Sequence, residues 1–351
     1  MMRICLFSNF FFPRVGGIEQ SSHNLAQGLT QLGHEVVVVT ATPRGEHPDA
    51  AAPYPIVRPP LVAFWRESLP EFDLLVSNGM SLRHLRQWRR SGVPFGWIHN
   101  MSLGNTSTLR QAARFKLRRL ATRLAHFNIC VSEYMKQNVA NRNAVVIPNA
   151  VAPRFRPIDG VVPSNRFLFY GRMWAPKGME VLLRAIAHAR DQGVDLPTDF
   201  IGDGEAAADM RNLGAELRLG PLVRFRPFLQ GDDLVRAICE SKGVVIPSLC
   251  DEAFPLVAIE AMACGRCVVG SRIGGLTESV RDVGVLVAPG NVPELAATLI
   301  DLSHNPEKLA MHEARSLAAA GRYRNEPICR EYLEVFKRHV RKSVSPAGRH
   351  P

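Results

Sequence analysis

Short apolar runs alternate with longer amphipathic stretches along most of this chain. Arg3–Ser8 (RICLFS) predicts a strand, residues 18–32 a helix and Glu35–Thr40 (EVVVVT) a second strand. Further strands are predicted at residues 73–77, 95–98, 127–131 and 145–147. Continuous apolar strands separated by helices are the pattern of parallel sheets covered on both faces. The rhythm stops at residues 148–164 (PNAVAPRFRPIDGVVPS), a proline-rich segment without periodicity that reads as a linker. A second alternating series follows, with strands at Phe167–Tyr170, residues 199–201, residues 223–225, Gly243–Ile246, residues 267–269 and residues 284–287, and a closing helix over residues 326–342. The expected organisation is a Rossmann-like domain over 1–150, a linker over 151–164, a second Rossmann-like domain over 165–325, and a C-terminal helix and tail over 326–351. Ligands of such sheets bind beyond the carboxyl ends of the strands, so two such domains imply one cleft with two walls.

A length of 351 residues suits two domains, and 46% hydrophobic residues suffice for two cores. The formal charge of +11 favours anionic partners, whether nucleotide phosphates, nucleic acid or an acidic membrane, without choosing among them. The richest basic stretch, residues 109–124 (LRQAARFKLRRLATRL), carries Leu109, Phe115, Leu117, Leu120 and Leu124 among its cations. It reads as a helix with a solvated basic face, or more sharply as one that docks on anionic lipid. The chain opens on a strand without a signal-peptide layout, and no apolar run of about twenty residues occurs. The expectation is a cytoplasmic protein, with peripheral attachment to the inner face of the membrane as the sharper alternative. Seven scattered cysteines do not make a disulfide framework. Cys264 and Cys267 form a lone C-x-x-C, expected to be two buried thiols at a helix-to-strand turn rather than a zinc site.

The first strand-to-helix loop, NFFFPRVGGIEQ, lacks the G-x-G-x-x-G of a dinucleotide site. Gly16 and Gly17 there serve either a plain turn or the close approach of backbone to an anion at a helix N-terminus, with Arg14 beside them. In the second series, strand Phe167–Tyr170 leads into GRMWAPKG, where Arg172 and Lys177 are placed to clamp a diphosphate and neutralise a phosphate leaving group. The most informative stretch is PSLCDEAFPLVAIEAMACGRCVVGSRIGG. A helix is expected to begin near Phe254, with its first N–H groups at residues 254–257 offered to phosphate. Glu252 on the preceding loop suits sugar hydroxyls, and Glu260 within the helix suits the two hydroxyls of a ribose. A solvated glutamate pair is the plain alternative. The apolar run VAIEAMA makes a carboxylate at Glu260 costly without a partner.

In order along nearly the whole chain, PRVGGIEQ, GHEVVVVT, VSEYM, VIPNAV, GRMWAPKG, FIGDGE, PSLCDEAFPLVAIEAMACG and SRIGGLTE resemble the retaining glycosyltransferases of the GT-B fold, glycosyltransferase family 4 in particular. The two glutamates seven residues apart carry this most specifically. The resemblance implies that Gly16 and Gly17 approach the donor diphosphate and that Arg172 and Lys177 hold it. It implies Glu252 at the donor sugar, Glu260 at the ribose and Leu229 near the base. Phe254, Pro255, Leu256 and Val257 would line the phosphate and sugar pocket, largely through backbone. His99 by composition alone is a structural histidine; the resemblance makes it the active-site histidine, catalytic together with Glu252. The C-terminal helix is expected to return to the first domain. Two departures stand out: residues 41–72 are short and proline-rich, so a strand of the family is reduced or missing, and Cys267 stands where proline is usual.

The implied reaction moves a sugar from a UDP- or GDP-sugar to an acceptor hydroxyl with retention, the leaving phosphate helping to deprotonate the acceptor. No cofactor and no obligatory metal is expected, and no nucleic-acid partner. The acceptor would be a glycan, a lipid-linked group or a small molecule, in bacterial-type polysaccharide, glycolipid or glycoconjugate synthesis. A nucleotide-sugar epimerase on the same scaffold and a non-catalytic nucleotide-sugar-binding protein are the alternatives.

Overall fold

The computed structural model describes residues 1–14, 16–45, 52–101, 108–141 and 143–340. The chain divides into two units, Met1–Pro148 with the C-terminal segment from Glu326, and Asn149–Asn325.

In the first unit the elements are β1 (Arg3–Ser8), α1 (Gly17–Gln31), β2 (Glu35–Thr40), β3 (Ile56–Val57), α2 (Val62–Glu67), β4 (Leu74–Asn78), α3 (Leu85–Ser91), β5 (Phe95–His99), α4 (Leu109–Ala121), β6 (Phe127–Cys130), α5 (Glu133–Lys136) and β7 (Val145–Val146). The strands pair in parallel in the order β3-β2-β1-β4-β5-β6-β7. Ile4, Cys5, Leu6 and Phe7 of the central strand are all buried, which is why β1 is apolar without alternation. Phe7, Trp65, Trp88, Phe95 and Trp97 build an aromatic core on one side. The strand expected to be reduced or missing survives as the two residues of β3, paired to Val38 and Val39 at the sheet edge.

In the second unit the elements are β8 (Phe167–Tyr170), α6 (Met179–Asp191), β9 (Thr198–Ile201), α7 (Ala207–Glu216), β10 (Val223–Arg226), α8 (Gly231–Cys239), β11 (Gly243–Ile246), α9 (Leu256–Ala263), β12 (Cys267–Ser271), α10 (Gly274–Val280), β13 (Val285–Val287), α11 (Val292–His304) and α12 (Pro306–Ala320). The sheet order is β10-β9-β8-β11-β12-β13, again parallel. The last helix, α13 (Asn325–His339), belongs to the first unit: Phe336 packs on Phe127 with ring centroids 5.6 Å apart. The expected return of the C-terminal helix is therefore found; residues 341–351 lie outside the described residues.

Two expected boundaries are corrected. Helix α9 begins at Leu256 rather than near Phe254, because Pro255 is an extended N-cap (φ −72, ψ 125) and a residue before proline is steered away from helical backbone. The basic helix α4 ends at Ala121, and Thr122–Leu124 form a separate 3-10 turn. Its start is a capping box between Thr108 and Gln111. Cys264 and Cys267 are free, buried thiols at the turn from α9 to β12, as expected. Among the described residues no helix is long and apolar enough to cross a membrane.

Candidate functional site

Strand order reverses between β1 and β4 in the first unit and between β8 and β11 in the second. Such reversals leave a crevice at the carboxyl ends of the strands, because the following connections leave in opposite directions.

In the second unit the loops after β8 and β11 hold five of the expected site residues. They are locked by close backbone approach. Gly178 has φ 75, and a Cβ there would lie 1.8 Å from the Pro247 carbonyl oxygen. The Leu249 N–H donates to the Pro176 carbonyl at 2.8 Å. This brings Lys177 and Glu252 together: Lys177 Nζ lies 2.7 Å from Glu252 Oε1, and Ser248 Oγ donates to the same oxygen at 2.7 Å. The Gly275 N–H donates to the backbone carbonyl of Glu252 at 2.7 Å, which ties in the loop of SRIGG. Arg172 is exposed and pairs with Glu205 of FIGDGE at 3.2 Å. Each cation expected at a diphosphate thus already rests on a carboxylate, a pairing that the linear sequence did not show.

Glu260 lies buried in the second turn of α9. The Tyr170 hydroxyl stands 3.0 Å from both Glu260 Oε2 and the Val257 carbonyl, so its one proton has two acceptors. Burial pushes the Glu260 carboxyl up to about 7, against the opposing effects of Tyr170 and of nearby Arg154. Burial also raises the Tyr170 phenol, which stays protonated. Phe254 is buried against Tyr323, and its carbonyl accepts from Asn149 Nδ2 at 2.9 Å. Asn149 of VIPNAV therefore holds the loop before α9. Pro255 has no N–H, so the first backbone donors of the helix are those of Leu256 and Val257. Leu229 sits half-buried on the loop after β10.

In the first unit Gly16 is the extended N-cap of α1 and Gly17 its first residue. A Cβ on Gly17 would meet nothing within 4 Å, whereas one on Gly16 would lie 2.6 Å from Glu19 Oε2. The buried Glu19 in this first turn was not anticipated. The Arg14 guanidinium lies over the Phe10 ring at 4.5 Å. Asn78 at the end of β4 donates to Ser22 Oγ at 2.7 Å and so anchors α1. His99 closes β5 and is buried. Its Nε2 lies 2.8 Å from Asn128 Oδ1, while Asn128 Nδ2 donates to the Thr122 carbonyl. That network assigns the proton to Nε2 and leaves Nδ1 as a lone-pair acceptor. Among the described residues Nδ1 meets no partner. Burial lowers the imidazole to about 4, with only Asn128 opposing, so the ring is neutral near pH 7.

Tyr170, Ser248, Glu205, Asn149 and Asn128 escaped the sequence reading. Ser248, Glu205 and Asn149 lie within the motifs quoted above and Tyr170 and Asn128 lie outside them, but in every case only the neighbours in space give the residue a role. Among the described residues no group of three or more His, Cys, Asp or Glu side chains is placed to hold a metal ion.

Two family models match the chain: Glycosyltransferase Family 4 over residues 15–155 and Glycosyl transferases group 1 over residues 164–305. A D-inositol 3-phosphate glycosyltransferase of Streptomyces scabiei is 29% identical over 384 residues, spanning 92% of this chain and 86% of that protein. One so named from Streptomyces bingchenggensis is 35% identical over 184 residues, or 46% of this chain and 40% of that protein. Among solved structures, Anabaena Alr3699/HepE in complex with UDP and glucose superimposes with a TM-score of 0.82 at 20% identity, covering 96% of this chain and all of that one. Two Rossmann-like units with these sheet orders match the GT-B fold. The chain belongs to glycosyltransferase family 4, within the group 1 glycosyl transferases.

Proposed function

We propose that the chain transfers a sugar from a UDP- or GDP-sugar to an acceptor hydroxyl with retention of the anomeric configuration. The observation that carries this is the ion-paired Lys177–Glu252 couple at the second unit's strand reversal, beside the buried Glu260. A diphosphate arriving there exchanges one carboxylate partner of Lys177 for phosphate oxygens, and Arg172 does the same with respect to Glu205. The released Glu252 carboxylate is then available to the sugar hydroxyls. Glu260, held by Tyr170, accepts from the ribose. Leu256 and Val257 offer backbone N–H groups to phosphate, with Phe254 and Pro255 shaping the pocket and Leu229 lying toward the base. The two cations and the α9 dipole stabilise charge as the diphosphate departs, and the departing phosphate oxygen takes the acceptor proton. In the first unit, Gly16 and Gly17 are assigned to the diphosphate, and the neutral His99 to the sugar. No metal is required by this scheme. UDP and glucose in the solved relative support a nucleotide-sugar donor here.

The acceptor we favour is lipid-linked, on the inner face of a membrane, for glycolipid, polysaccharide or glycoconjugate synthesis. Support comes from α4 and the turn after it. Leu117, Leu120 and Leu124 are exposed at helical spacing, and Arg110, Arg114, Lys116, Arg118, Arg119 and Arg123 are all exposed around them. Apolar side chains amid cations match an anionic bilayer surface, each cation contributing up to about 1 kcal/mol.

A thermal-shift screen of nucleotide sugars, followed by assay of the best binder with and without acceptor, tests the reaction. Acceptor-dependent release of nucleoside diphosphate is expected. Epimerised sugar released without acceptor, or binding without turnover, would replace this reading with an epimerase or a binding protein. Co-sedimentation with liposomes tests the surface: binding should require anionic lipid and disappear when four of the α4 charges are reversed to glutamate.

A further inference from the structure

A separate cavity of about 370 Å³ opens in the second unit, and none of its lining residues belongs to the proposed donor set. Its floor is the face of the sheet opposite the phenylalanine core. Phe200 and Phe225 stack with ring centroids 5.2 Å apart in that core. Alternation along β9 and β10 sends Asp199, Arg224 and Arg226 to the other face. Arg236 and Glu240, from α8 and the residue after it, form one wall, and the segment Gly160, Val161, Val162 and Ser164 borders another side.

The charges in this cavity do not balance. Asp199 is a buried carboxylate that accepts from three arginines. Arg224 binds it bidentately, with both contacts at 2.9 Å. Arg166 donates to it and also reaches the carbonyls of Thr198 and Leu222, each at 3.0 Å. These two arginines have good geometry and hold the edge strand. Arg226 reaches Asp199 only at 3.5 Å, and Arg236 reaches Glu240 only at 3.8 Å. Four guanidinium groups thus face two carboxylates, and the weakly engaged pair, Arg226 and Arg236, supplies the surplus positive charge. Guanidinium does not lose its proton at any working pH, so the excess persists. A cavity of this volume lies at the small end of ligand pockets, larger than a bare phosphate needs.

We propose that this cavity is a second anion site, which takes a small phosphate ester, its dianionic phosphate between Arg226 and Arg236 and its polar body toward Ser164, Glu240 and Ser241. The fork of guanidinium donors suits phosphate oxygens. Arg224 and Arg166 remain on Asp199 and keep the floor in place.

Calorimetry with glucose 6-phosphate, inorganic phosphate and glucose, in chloride at matched ionic strength, tests the assignment. Glucose 6-phosphate should bind more tightly than inorganic phosphate, and glucose should not bind. Arg226→Gln and Arg236→Gln should each weaken the sugar phosphate at least tenfold, as expected for one lost charge-assisted contact. Arg236 is exposed on a helix, so its variant keeps the fold and reports on binding alone. Lys177→Ala, in the donor loops, should leave this binding unchanged. Absence of binding above the chloride control would overturn the proposal, as would equal affinity for phosphate and its ester. So would loss in Lys177→Ala with retention in both arginine variants, which would leave a single anion site at the donor loops.

Discussion

The strand reversals of the two units have the same topology and opposite chemistry. At the carboxyl ends of β1, β4 and β5 the first unit presents glycine backbone, the amide of Asn78 and a neutral imidazole. At the carboxyl ends of β8 and β11 the second presents Lys177 on Glu252, with Arg172 on Glu205 nearby. Parallel sheets with a strand-order reversal create a crevice in either case; the side chains decide what it can hold. A paired ion is tolerated where a lone one would be costly, and in the proposed reaction Lys177 exchanges its carboxylate partner for the incoming phosphate. The first unit has no such reservoir among its described site residues, so its part in the proposed reaction rests on backbone approach and on His99. Burial also acts in opposite senses on the two buried titrating groups: it raises the acid Glu260 and lowers the base His99.

The largest effect expected from this contrast is on stability against pH. Folded Glu260 titrates near 7 instead of 4.5, so the folded state holds the extra proton between those values. The empty protein therefore loses stability as pH rises from about 4.5 to 7, by roughly 3 kcal/mol in all. Glu260→Gln should gain on the parent protein across that window in denaturant melts, and a flat difference would remove the raised carboxyl. His99 works the other way. Its folded value near 4 against 6.5 means that stability is lost as pH falls from about 6.5 to 4. His99→Gln should lose that slope.

Next in size is Lys177→Ala. Removing one charge-assisted phosphate contact should cost about 1.5–3 kcal/mol of nucleoside-diphosphate affinity, or roughly ten- to more than a hundredfold. Ser248 still donates to Glu252 in that variant, so the protein should remain folded. Unchanged affinity by calorimetry would sink the diphosphate role.

Glu260→Ala should weaken nucleotide binding roughly tenfold. The penalty should shrink for a 2′,3′-dideoxy nucleotide, because the ribose hydroxyls are then gone from both sides of the comparison. An equal loss for both ligands places Glu260 away from the ribose.

The smallest effect sharpens the first unit's side. Gly17→Ala meets open space in the protein itself, so the melting temperature should hardly move. If the backbone at Gly17 approaches the donor closely, affinity should still fall several-fold. An unaltered affinity would reduce Gly17 to a helix start.

The alternation of apolar runs with helices made both sheets legible, because strands covered on both faces must be apolar throughout, as in Ile4–Phe7 and Val244–Ile246. Boundaries slipped where local chemistry intervened: Pro255 delayed α9, and the basic helix gave way to a 3-10 turn at Thr122. Charged residues in the loops after strands marked Arg172, Lys177 and Glu252, and a carboxylate inside an apolar helix marked Glu260, since carboxylates and cations beside apolar segments need a partner. Who the partner is depends on residues far apart in sequence. Lys177 and Glu252 meet only because Gly178 lets one loop press on the Pro247 carbonyl, and Glu260 meets Tyr170 across ninety positions. The same holds for the buried Asn128 that orients His99 and for the arginines gathered around Asp199. The sequence by itself determined the class of fold, the order of elements and the chemical types at the strand ends, because periodicity and local backbone preference are short-range. Only the tertiary structure decided which charges neutralise each other, which titrating groups are buried and where cationic charge is left over. Those follow from desolvation and from distances across the folded chain, which no spacing along it records.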